Sequence, residues 1–136
     1  MFGDASMDLT DFRWLPGERL WMRPSVPGPR LEVTIAGDEA GPDPARLPVA
    51  EAVLAGLEAV TRAAVGYLDY FVHRPHFGCR GDWCLDGLAF GRGGDEPPNE
   101  FEAGFTVEDD PYGWWTVTMR HTPRGNVPFA FARRQG

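Results

Sequence analysis

The chain contains no lysine; all thirteen of its basic residues are arginine. This reads as the codon bias of a GC-rich genome, with a minor benefit in bidentate pairing. Serine is almost as scarce. Ser6 and Ser25 both lie near the N-terminus without a strand-turn-helix setting, which argues against an elbow-type serine nucleophile. No apolar run approaches the ~20 residues that a membrane helix needs. The opening MFGDASMDLTDFRW is acidic where a secretory signal would be basic and then apolar. These absences predict a cytoplasmic protein with no membrane partner.

What is present suits one packed domain. Across 136 residues, 43% are hydrophobic and 12% aromatic, so the chain can bury enough apolar surface to offset its ordering entropy. A single globular domain spanning residues 1–136 is expected. The formal net charge is -7, and its placement is uneven. Between Gly93 and Met119 stand seven acids (Asp95, Glu96, Glu100, Glu102, Glu108, Asp109 and Asp110) and no arginine, while the rest of the chain balances. This argues against nucleic acid as a partner and for a protein with a basic surface.

Periodicity organises the chain. Short strands are predicted around Asp8 to Trp14, Arg19 to Arg23 and Leu31 to Ile35, separated by Pro16-Gly17 and the cluster PSVPGP. From Leu47 to His73, apolar residues recur at Val49, Val53, Leu57, Val60, Ala64, Tyr67 or Leu68, and Phe71, which predicts one long amphipathic helix. Pro75 and Gly78 would end it. Strands follow at Trp83 to Phe90, Asn99 to Glu108, Trp114 to His121 and Val127 to Arg133, with DDPYG as a hairpin loop and Pro128 marking an edge. The fold class is α+β: an antiparallel sheet of about five to seven strands with one long helix packed on one face.

Two clusters carry the candidate chemistry. HRPHFGCRGDWC holds His73, His76, Cys79 and Cys84, all of them zinc-ligand types. Their spacing lacks the usual pair-loop-pair arrangement, and C-x4-C is not the C-x-x-C of a redox helix start. The readings open here are a helix-ending loop, a small disulfide loop, and a metal-binding enzyme or sensor built on those four residues. The first is favoured, and no metal or other cofactor is expected. The second cluster is the acidic hairpin. Strand alternation puts Trp114 on the face of Glu100, Glu102 and Glu108, with Asp109, Asp110 and Tyr112 at the tip. Aromatics ringed by carboxylates suit a protein interface, in which the rings anchor and the acids steer. Alternatively, Trp114 packs over the sheet's second face or under the N-terminal strands, the glutamates are a solvated strand face and the aspartates serve the turn.

The tail LAFGRGG…EFEAGFTVEDDPYGWWTVTMR…VPFAFARR resembles those of small acidic α+β bacterial proteins, among them immunity proteins that protect a cell from its own toxin. The resemblance covers the order of elements from Leu47 and the strand-DDPYG-strand hairpin. It implies a non-catalytic, cofactor-free protein that occludes or distorts a toxin. The expected interface is Glu100, Glu102, Glu108, Asp109, Asp110, Tyr112 and Trp114. A homo-oligomer whose acidic face only confers solubility is the third option.

Overall fold

Alternation in the sequence becomes one large sheet in the computed structural model, which describes residues 8–23, 31–73, 81–92 and 95–135. A 3-10 turn at Leu9–Asp11, capped by the Asp8 carboxylate on the Thr10 N–H, leads into β1 (Arg13–Leu15) and β2 (Leu20–Arg23). Next come β3 (Glu32–Asp38) and the two-residue β4 (Gly41–Pro42), and helices α1 (Leu47–Ala55) and α2 (Leu57–Phe71) follow. The chain finishes with β5 (Trp83–Phe90), β6 (Glu100–Val107), β7 (Asp110–Thr122) and β8 (Gly125–Gln135). The strands lie in the order β1-β2-β3-β5-β6-β7-β8, with β4 beside β3.

The α+β class is as expected, and three details of the expectation are corrected. The described residues form eight strands, because two-residue β4 gives no periodic signal. The sheet is mixed: β3 and β5 pair in parallel, Val33 opposite Leu88 and Ile35 opposite Phe90. The chain leaves β3, crosses one face through both helices and returns beside it, and such a crossover produces a parallel neighbour. The single helix is two. Gly56 departs from helical geometry (φ -113, ψ 34) and its N–H is shared between the carbonyls of Ala52 and Val53. Glycine costs about 1 kcal/mol in a helix interior, enough to favour a break once Leu57 can restart the apolar stripe.

That stripe seats the helices. Ala50, Val53 and Leu54 of α1, with Leu57, Val60, Ala64 and Leu68 of α2, are buried against Val33, Ile35, Leu88, Phe90, Phe101, Phe105, Trp115, Val117 and Met119. Phe90 and Phe101 stack at 5.3 Å, and Trp83 meets Trp115 edge-on at the same separation. At the outer edge, Tyr67 and Phe71 lean on Phe131 of β8, with centroids 6.1 and 5.9 Å apart. Core side chains thus occupy one face of the sheet. Alternation sends Glu32, Thr34, Ala89, Glu102, Gly104, Trp114 and Thr116 to the other, where the described residues place no helix. No helix among the described residues is long and apolar enough to cross a membrane.

A buried arginine pins the loop before β6. Arg46, 5% exposed, donates from Nη2 to the Glu96 carbonyl at 2.6 Å and from Nη1 to that of Pro97 at 3.4 Å, while its Nε lies 3.4 Å from the Asp43 carboxylate. Gly91 sits against this guanidinium at φ 89, where a side chain would be both strained and in collision. Its N–H donates to Glu96 Oε1 at 3.0 Å. Burial holds the Glu96 carboxyl above the ordinary glutamate range, against that hydrogen bond, and the charges of Glu102 and Glu100 add to the rise. A raised folded-state pKa contributes stability at acid pH. That contribution is lost as pH climbs from the ordinary glutamate value through the folded one. Glu96→Gln, which keeps an acceptor for Gly91, is therefore expected to gain in Tm relative to the parent as pH rises from 4 to 7, as thermal melts at several pH values would show.

Candidate functional site

The acidic segment folds into three environments rather than one patch. Glu100 and Glu102 alternate with core residues Phe101 and Ala103 on β6, so their carboxylates point to the helix-free face. Glu100 lies opposite Arg120 of β7 and accepts from its Nη2 at 2.9 Å and its Nε at 3.3 Å. Glu102 stands between Ala89 and Thr118. Glu108 and Asp109 form the exposed turn, where Asp109 Oδ1 accepts the Gly81 N–H at 3.0 Å. Asp110 turns inward and is 8% exposed. Its carboxylate accepts from Trp115 Nε1 at 3.1 Å and from Arg133 Nη2 and Nε at 2.8 and 3.2 Å. The Arg133 guanidinium also lies 5.5 Å from the centroid of the Trp115 ring. The side chain of Tyr112 lies outside the described residues.

Trp114 is half-buried and packs across the sheet's second face. Its six-membered ring rests on Gly104, where an added Cβ would overlap Cζ2, and reaches over Gly87 at ordinary contact distance. Beside it a small recess of about 20 Å³ is lined by Glu32, Thr34, Gly87, Arg92, Glu102 and Thr116 among others. Sequence reasoning missed Glu32, Thr34 and Thr116. Alternation within β3 did mark Glu32 and Thr34 as facing away from the core, but their nearness to Glu102 depends on the parallel β3–β5 pairing.

The sheet-to-helix corner holds a larger cleft of about 680 Å³, bordered by Arg19, Asp38, Gly41, Asp43, Arg46 and Arg92. Its charges largely serve the turns: Asp38 accepts the Ala40 N–H and Asp43 that of Ala45.

Of the histidine and cysteine cluster, His76 and Cys79 lie outside the described residues. His73 follows the end of α2, whereas Cys84 is a free, exposed thiol on the helix-free face, 3.6 Å from Asp86 Oδ1. Burial, then the neighbouring Asp86 carboxylate, push that thiol up, which keeps it protonated and weakly nucleophilic at neutral pH. Among the described residues no three His, Cys, Asp or Glu side chains come together as a metal site. No family model, curated protein or solved structure matches the chain.

Proposed function

We propose that this chain is a non-catalytic protein-binding domain that receives a basic protein partner, as an immunity protein receives its toxin, on the helix-free face of the sheet and the adjoining Glu108-Asp109 turn. The observation that carries this reading is the partly exposed Trp114 on the sheet face away from the helices, beside Glu32 and Glu102. An aromatic that is rigidly seated yet partly exposed supplies contact area at little entropic cost, and carboxylates around it speed encounter with a basic surface. Of the seven acids from Gly93 to Met119, Glu100 and Asp110 are bound to Arg120 and Arg133, so Glu102, Glu108 and Asp109 give this surface its sign.

The test is affinity for the protein encoded beside this gene, where a toxin would stand. The triple reversal Glu102→Lys, Glu108→Lys and Asp109→Lys leaves Asp110 in place. It is expected to weaken binding at least about tenfold, mainly through slower association, and to flatten its salt dependence. Circular dichroism would check that the variant is folded. An unchanged affinity would sink the assignment of the surface, and no binding to that product would sink the immunity role.

A further inference from the structure

The outer edge of the sheet gathers most of the exposed aromatic surface among the described residues. β8 has β7 on one side and ends the strand order on the other, so its outward backbone groups meet no further described strand. On the helix side of this edge Phe131 lies against Tyr67 and Phe71, and Tyr70 meets Phe71 edge-on at 4.8 Å. On the other side the Arg120 guanidinium lies 4.7 Å from the centroid of Phe129. Tyr70 is 82% exposed, Phe71 55%, Phe129 41% and Phe131 38%. At roughly 150–250 Å² to an aromatic side chain, these four leave on the order of 400 Å² of ring in water. The opposite edge, β1, is only three residues long and offers no comparable surface.

We propose that β8 pairs antiparallel with β8 of a second copy of the chain, continuing the sheet across a two-fold axis at Ala132, a contact independent of the basic partner described above. An antiparallel edge is self-complementary, as a two-fold contact requires. Pro128 has no N–H to give, so pairing is confined to the residues after it. An axis at Ala132 uses the whole run from Phe129 to Gln135. Phe131 then falls opposite Arg133 of the other copy, and Ala130 opposite Arg134. One residue further along, an axis at Arg133 would set two guanidinium groups face to face. Ala132 is exposed and small, which leaves the axis sterically open.

Area and charge both select a second copy as the occupant. The two-fold doubles the aromatic surface to on the order of 800 Å², and the strand backbone with Ala130 and Ala132 carries it to the ~1,000 Å² at which specific interfaces begin. An interface of that size dissociates in the micromolar range. Two chains of net charge -7 repel, yet the residues after Thr122 include three arginines and no acid, and Arg133 is neutralised by Asp110 of its own copy. The acids that oppose association thus lie away from the joint.

Sedimentation velocity of the full-length chain across the micromolar range should show a mass rising with concentration to twice that of one chain and no further. Tyr70→Lys and Phe131→Lys, each checked for folding by circular dichroism, should weaken association at least about tenfold. Tyr70 is exposed enough that its replacement leaves the core untouched. The axis is located by disulfide trapping in a chain carrying Cys79→Ser and Cys84→Ser. Residues opposite one another on antiparallel strands have Cα atoms about 4.5–5.5 Å apart, within disulfide reach, so Ala132→Cys should convert largely to a covalent dimer under air. Ala130→Cys lies four residues along the strand from its mate, more than about 13 Å, and should give at least about fivefold less. A monomer at every concentration, a mass that keeps rising beyond two chains, association untouched by either lysine, or equal trapping at the two positions would each overturn the proposal.

Discussion

Asp110→Ala is expected to destabilise the fold by about 3 kcal/mol, because it removes the carboxylate that a partly buried guanidinium and a buried indole N–H share. Its carboxylate accepts from the Trp115 indole N–H and from two nitrogens of Arg133. Removing it takes an acceptor from the buried indole N–H and a counter-charge from Arg133, and Trp115 belongs to the aromatic group that locks β5 against β7. Arg133 retains some access to solvent, 24% of its side chain, which keeps the loss at the lower end of what broken buried pairs cost. Urea unfolding followed by tryptophan fluorescence would measure it, and a loss under about 1 kcal/mol would mean that the pair is effectively solvated. Asp110→Ala combined with Arg133→Met, which removes the charge that the carboxylate had balanced and retains much of the side chain's bulk, should recover more than half of the deficit. An acidic residue that looked like part of a charged surface is on this argument a fastener between the start of β7 and the end of β8.

That misplacement shows where the sequence stops being readable. Alternation located β5 at Trp83–Phe90 and put the β6 and β7 core residues on one face, since a period of two needs only local sequence. It did not see that β7 starts at Asp110, inside the segment expected to be a loop, because proline and glycine at 111 and 113 read as turn chemistry. The turn is Glu108-Asp109 instead, and the shift takes Asp110 from the tip into the sheet beside Arg133, whose approach depends on β8. Gly56 was legible as a poor helix former, yet a sustained apolar stripe masked it. The recess shares this limit: Glu32 and Thr34 precede Glu102 by 70 and 68 residues, and only the crossover through α1 and α2 brings β3 beside β5. What the sequence did expose was the sign of the charge and the presence of a tryptophan on the acidic face, one of its two readings being that Trp114 packs over the sheet's second face.

Gly104→Ala tests how that tryptophan is held, and it should cost about 1–3 kcal/mol for a single methyl group. The backbone of Gly104 does not require glycine, since it is not among the positive-φ positions, so the effect is steric alone. The new Cβ would overlap Cζ2 of Trp114 and come within 3.0 Å of Cε2 and Cη2, and a rigid indole can yield only by lifting off the sheet. Gly87→Ala provides the contrast. Its Cβ would meet the same ring at 3.8 Å and the Glu32 carbonyl at 3.5 Å, ordinary contact distances, so its stability should stay within about 0.5 kcal/mol of the parent. Combining Gly104→Ala with Trp114→Ala should cost less than the sum of the two alone, because the collision vanishes with the ring. Denaturant melts of the four proteins measure that coupling. Equal effects of the two glycine substitutions would mean that Trp114 does not rest on Gly104.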